Sequence, residues 1–203
     1  MFDFFEINYK LSRYKHLLVS PHYTRAALIK MISTEIENAQ KGRKAGIKLK
    51  LNSLSDFALI DKLYDASRAG VKIKLIVRGI CSLIPGVPGQ SENIEAISIL
   101  DKFLEHPRVY IFENEGDPKI YISSADWMTR NMDYRVEVSC PIYDEEIKNE
   151  ILETFDISWR DNVKARVHSL AQDNAYRRND QPPLRSQFAL YEYYQNKLEN
   201  ITV

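Results

Sequence analysis

The chain has 203 residues, 44% of them hydrophobic, enough to bury a sizeable core in one domain with or without appendages. Lys+Arg and Asp+Glu both count 28, so the net charge is zero; this excludes whole-surface attraction to nucleic acid and an acidic coat, and any basic site must be local. Cys81 and Cys140 are too few for a disulfide scaffold and lack zinc-ligand spacing, and no apolar run approaches the ~20 residues that cross a bilayer.

Residues 2–9 are unusually aromatic and hold no clear period, as a segment packed on a neighbouring domain would be. MFDFFEINYK has neither a basic n-region nor an h-region, so a soluble protein of a reducing, intracellular compartment is expected. Over 24–40, Ala27, Leu28, Met31, Ile32 and Ile36 recur at helical spacing, and Gly42 is placed to end the helix. In GIKLKLNSL, Ile47, Leu49 and Leu51 alternate with Lys48, Lys50 and Asn52, the period of a strand. Ser53 or Ser55 is a candidate cap for a helix with Ile60, Leu63 and Tyr64 on one face and Gly70 at its C′ position. Val71, Ile73, Leu75 and Val77 form a second strand, making a βαβ unit with parallel strands whose carboxyl ends carry Asn52 and Arg78.

Open α/β sheets bind ligands beyond such ends, which makes GICSLIPGVPG (79–89), with two prolines and three glycines, the first candidate site loop. A helix is expected over about 94–104, then a hairpin of VYIFE and KIYISS across 114–118, and another strand over 134–139. Helices follow over 144–159, with Ile147, Ile151 and Phe155 on one face, and over 184–198, with Leu184, Phe188 and Tyr191. Between them lies a basic linker, 174–181, containing Arg177 and Arg178.

His106 is the most informative histidine, since it lies at the start of a strand beside Glu105 and two residues before Arg108. An imidazole there can exchange a proton, attack phosphorus or hydrogen-bond phosphate, or simply belong to the framework. His16, His22 and His168 lack such surroundings. Arg78, at a strand end, presents a donor fork suited to phosphate or carboxylate, with a rim salt bridge as the plain alternative. Lys48, Lys50, Lys72 and Lys74 alternate with apolar residues and default to a solvated face; only Lys50 is near enough to the strand end to join Arg108 and Arg130 in a cationic pocket. In ISSADWMTRN, Ser123 and Ser124 are candidate phosphate donors, Asp126 a helix cap and Trp127 an apolar anchor. No GxxxxGKS or GxGxxG occurs, which excludes those phosphate loops.

Taken together, KLNSLSD, LIVRGICSLIPGVPG, SENI, FLEHPRVYIFEN, YISSADWMTRNMDYRVEV and VKAR resemble the C-terminal part of bacterial polyphosphate kinases, in order and spacing, from about residue 14 to 198. The resemblance implies an α/β fold, a phospholipase D-like mixed β-sheet flanked by helices. It divides the chain into an edge segment left from a preceding domain, 1–22, and the phospholipase D-like domain, 23–203. The implied activity is reversible transfer of the terminal phosphoryl group of ATP to polyphosphate, through a phosphohistidine and with magnesium. His106-Pro107-Arg108, Glu113 and the Ser123–Asp126 turn look like a degenerate phospholipase D motif, with arginine for lysine and a later serine turn.

The family's nucleophilic histidine stands in a His-Ala-Lys context of the preceding domain, and no such run occurs here. Arg78 and His106 match the family's ATP-binding arginine and histidine, and the resemblance makes His106 also a candidate catalytic proton donor or acceptor. Magnesium ligands and a tyrosine contact to ATP are expected upstream, and rim lysines are expected to track polyphosphate. Expected partners are ATP/ADP, polyphosphate and the preceding domain of the same protein, with no nucleic acid, in a cytoplasmic protein that is a homo-oligomer when full length. The chain alone is expected to bind without turnover. The rival expectations are a stand-alone polyphosphate or nucleotide binding module and a metal-independent phosphodiesterase with His106 as nucleophile.

Overall fold

The alternation of Ile47, Leu49 and Leu51 with lysines does form a strand, and it lies near the middle of an eight-stranded mixed sheet in the order β1-β7-β6-β5-β2-β3-β4-β8. The structure, a computed structural model, describes residues 14–201; the aromatic opening, 2–9, lies outside the described residues. The strands are β1 (Leu18–Val19), β2 (Gly46–Leu51), β3 (Lys72–Val77), β4 (Ile94–Ile99), β5 (Val109–Phe112), β6 (Lys119–Ser123), β7 (Val138–Ile142) and β8 (Ala165–Val167). The helices are α1 (Thr24–Gln40), α2 (Phe57–Arg68), α3 (Thr129–Asp133), α4 (Glu145–Trp159) and α5 (Ser186–Ile201). Strands β2, β3 and β4 run parallel, and every other pairing is antiparallel.

One face of the sheet, with Ile47, Leu49, Leu75 and Tyr110, packs on Leu28 and Ile32 of α1 and Leu59 and Leu63 of α2. The other, with Ile76, Ile97 and Ile111, packs on Phe155 and Trp159 of α4. At about 25 cal/mol per Å2, these two apolar layers are the main stabilising term. The expected βαβ unit is present with β2 and β3 in register from Gly46↔Lys72 to Leu51↔Val77. Helix α1 has the expected bounds, and Gly42 and Gly70 take the positive φ of helix C′ positions, 66° and 91°.

Several expectations are corrected. Residues 94–99 are a strand, not the start of a helix: IEAISI lies inside the sheet and buries Ile94 and Ala96 on one face and Ile97 and Ile99 on the other, which erases the alternation of a half-buried strand. The cap of α2 is Asp56, whose carboxylate accepts from Leu59 N, rather than either serine. The strand expected over 134–139 begins later, at Val138, and β8 has no counterpart among the expected elements. At the sheet edge, Leu18 and Val19 of β1 pair with Ser139 and Val138 of β7.

Candidate functional site

At one rim of the sheet β2 and β3 end, β5 begins and β6 ends, because β5 runs antiparallel to β2 with Val109 opposite Lys50. Arg78, one residue past β3, donates from Nε and Nη2 to Asn52 Oδ1 at 3.0 and 2.8 Å. The backbone N–H groups of Asn52 and Ser53 donate to Asp126 Oδ1 at 2.7 and 3.0 Å. Asp126 Oδ2 accepts from Arg108 Nη2 at 3.0 Å, and the same nitrogen lies 3.1 Å from His106 Nε2. Arg78 and His106 are thus joined through Asn52, Asp126 and Arg108 along one rim. A guanidinium only donates, so Nε2 accepts in that contact and the proton of neutral His106 belongs on Nδ1.

Burial sharpens the arrangement. Asp126 and Asn52 are 6% and 7% exposed, whereas His106 faces solvent and Arg78 and Arg108 are half-buried. Arg108 is paired with the Asp126 carboxylate, whereas Arg78 is bonded to a neutral amide and forms no salt bridge among the described residues. Asn52 Nδ2 and Arg108 Nε are buried without a hydrogen-bond partner, and such donors have an unmet demand for acceptors. The group at the rim suited to an anion is Arg78, half-buried and bonded to a neutral amide, with donors of its fork left over.

The rim has a rigid backing. Leu54 bridges to both Cys81 and Trp127, and Trp127 is fully buried, edge-on to Tyr110 at 5.6 Å. The Tyr110 hydroxyl donates to Ala125 O, next to Asp126, and burial holds that phenol well above its ordinary pKa. The strand approach carrying His106 is pinned by Glu105, which accepts from Lys50 Nζ at 2.6 Å and Gln187 Nε2 at 2.9 Å.

Several residues proposed from sequence stand elsewhere. Lys50 is under α4, bonded to Glu105 and to Ser158 Oγ, rather than in the rim. Lys48 and Lys74 do not form a solvated face either: they lie over the rings of Phe155 and Trp159 at 5.8 and 5.2 Å. Arg130 is exposed in α3 and joins none of the rim contacts. Asp126 caps no helix, and α3 has no side-chain cap. Ser123 and Ser124 close the turn, bonding Ser139 Oγ and Glu137. Glu113 follows the far end of β5. Cys81 is half-buried, and burial pushes its thiol up.

His16 bonds the Tyr143 hydroxyl at 2.8 Å, and His22 contacts the ring of Tyr23, both away from the rim contacts. His168, by contrast, reaches Val77 O at 3.3 Å, one residue from Arg78. Sequence reasoning passed over it and gave Asn52 no chemical role; a polar residue directly after an alternating strand was the available signal for Asn52.

The family profile described as "Polyphosphate kinase C-terminal domain 2" matches residues 17–187. The chain is 50% identical over 194 residues to a polyphosphate kinase of Escherichia coli strain K12 and 49% identical over 197 residues to one of Vibrio cholerae; these alignments cover 95% and 97% of the chain and 28% of each relative. It spans less than a third of the length of those relatives. The crystal structure of polyphosphate kinase from Porphyromonas gingivalis superposes with a TM-score of 0.93 at 40% identity, over 98% of this chain and 31% of that one. Nuc from Salmonella typhimurium, a phospholipase D family member, superposes over 75% of this chain and 96% of its own with a TM-score of 0.55 at 16% identity, which shows a shared fold. The α/β, phospholipase D-like class expected from sequence is the observed one.

Proposed function

The chain belongs to the polyphosphate kinase family, as its C-terminal domain 2, and from that premise we propose that it forms one wall of an ATP and polyphosphate site in a longer kinase. The carrying observation is the rim itself: Arg78 and His106 are linked through Asn52, Asp126 and Arg108, with His106 facing solvent and Arg78 half-buried without a carboxylate partner among the described residues. Phosphoryl transfer demands chiefly placement and neutralisation of the moving group's charge. Arg78 holds nucleotide phosphates with its donor fork, and His106 meets the reacting phosphoryl group. The bond to phosphorus forms at a histidine of the preceding domain and breaks toward ADP, and the phosphoryl group passes on to polyphosphate.

Magnesium accompanies ATP in this reading, with its ligands drawn mainly from the preceding domain. Among the described residues no cluster of three or more His, Cys, Asp or Glu stands ready for a metal, and the Asp126 carboxylate is already used by two amides and Arg108. The cytoplasm is the proposed compartment; among the described residues no helix is long and apolar enough to cross a membrane.

Calorimetric titration of the chain with MgATP tests the proposal. Arg78→Ala weakens binding by about 1–3 kcal/mol, the range for losing hydrogen bonds to a charged group; unchanged affinity removes Arg78 from the site. Mixed with ATP, magnesium and polyphosphate, the chain alone transfers no phosphate. Robust turnover would refute a nucleophile in another domain.

A further inference from the structure

With Lys48, Lys50 and Lys74 committed beneath α4, the rim lysines no longer offer a path for a long polyanion leaving Arg78. A different path leads away along the sheet. Beyond β3 come β4 and then β8, so the backbone of Arg166 is about 10 Å from that of Arg78 at ~4.8 Å per strand. The link is direct: Ser98 Oγ donates to Arg78 O at 3.2 Å, and Ser98 is the register partner of Arg166. A cavity of about 310 Å3 is lined by Gly79, the residue after Arg78, by Cys81 and Pro85, and by Val167, His168 and Asn174 beside Arg166.

Next to its Val167 and Asn174 wall, Arg166 and Arg178 converge on one ring, their guanidinium carbons 3.8 and 4.5 Å from the centre of Tyr176. Both donate to backbone carbonyls: Arg166 to Asn174 O at 2.6 Å, and Arg178 to Asn162 O at 2.6 Å. Among the described residues neither forms a salt bridge. The nearby acid Asp173 is turned to Ser169 Oγ and Ala175 N, at 3.4 and 3.3 Å. Two like charges gathered on one aromatic ring without a carboxylate are an unbalanced pair, and each fork retains donors beyond the one used.

We infer that Arg166 and Arg178 form a second anchor for the polyphosphate chain, separated from Arg78 by the Gly79–His168 cavity, so that an extended polyanion runs between the two. The inference rests on the proposed function of the rim. Inorganic polyphosphate fits better than single-stranded nucleic acid, because Tyr176, the aromatic ring at the anchor, is already engaged by two guanidiniums rather than open to a base.

The test titrates this 203-residue chain with long-chain polyphosphate, with tripolyphosphate and with MgATP. Arg166→Gln combined with Arg178→Gln is expected to weaken long-chain polyphosphate binding about tenfold and flatten its salt dependence, because fewer counterions are released. Tripolyphosphate and MgATP, which offer few phosphoryl groups beyond those held at Arg78, are expected to lose much less affinity than the long chain. Arg166→Lys with Arg178→Lys keeps the charge and is expected to keep most of the long-chain affinity, which guards against a loosened linker being mistaken for a lost anchor. Wild-type affinity for long chains in the glutamine variant overturns the inference, as does equal weakening for long and short phosphates. A single-stranded oligonucleotide competing as well as polyphosphate does the same. If the long-chain effect appears while Arg78→Ala leaves MgATP binding unchanged, the anchor stands and the rim reading fails; the converse pattern fails the anchor alone.

Discussion

At Gly79 a side chain as small as a methyl would meet the carbonyl oxygen of Asn52 at 2.9 Å, a backbone atom with no freedom to retreat. Gly79 N also donates to that oxygen at 2.8 Å, so the ends of β2 and β3 are drawn together where Arg78 reaches Asn52. Gly79→Ala must spread them, and overpacking of this kind costs about 1–3 kcal/mol. Its expected signature is a lower denaturant midpoint together with weaker MgATP binding. A variant that lost stability but kept full affinity would show that the rim does not depend on this approach. The residue types at this site were partly legible from sequence: Arg78 and His106 were identified, and the structure joins them. Asp126 was read as a helix cap, which it is not. Its real task, gathering two amides from β2's end and Arg108 from β5's start, depends on contacts 74 and 18 residues apart in sequence, which no local pattern reveals.

Among the elements, polar residues recurring at a strand or helix period made α1, β2, α2 and β3 legible, β5 and β6 were legible as a hairpin, and β4 was not. Helix α1, β2, α2 and β3 show clean periods because each has a solvent side or a lysine side, whereas β4 is apolar on both faces and its spacing imitates a helix. The lysine alternation in β2 and β3 was deceptive in a second way, since long stems lie along the aromatic face of α4 as readily as in water. One carboxylate ties several of these elements. Glu35, 1% exposed on α1, accepts from Gly46 N at the start of β2 at 3.0 Å and from Asn114 N beyond β5 at 2.8 Å. Burial pushes its pKa up, and the two amides pull it partly back. Glu35→Gln removes one acceptor and sets an NH2 against a backbone N–H. A loss of about 1–3 kcal/mol in chemical unfolding is expected, with MgATP binding unaffected because this corner is at the opposite end of the strands from the rim.

For the molecule as a whole, charge rather than apolar area holds the C-terminal layer, and that sets its response to acid. Phe188, Tyr191 and Leu198 of α5 remain 43%, 66% and 59% exposed, so the helix gains little from burial. Its attachments are ionic or polar: Arg185 to Asp101 at 2.6 Å, Lys197 to Glu150, and Ser186 N to Asp161 at 2.8 Å. Asp101 and Glu150 are held below the usual carboxylate range by hydrogen bonds from Arg185 and Lys197. Burial pushes Asp161 up, but amide donors including Ser186 and Lys164 outweigh it and leave the pKa lowered. A group lowered on folding contributes stability above its unfolded pKa, about 4, and loses it as pH falls through the folded value. The same sign applies to Asp133 beside Arg25, which ties α3 to α1, whereas Glu35, raised by burial, is relieved of a cost on protonation. Acid should therefore release α5 before the α1 corner. Hydrogen exchange followed downward from about pH 5 is expected to show α5 amides losing protection while those of β2 and β5 keep theirs. Simultaneous loss in both would mean that α5 is held by its apolar contacts with α4 instead.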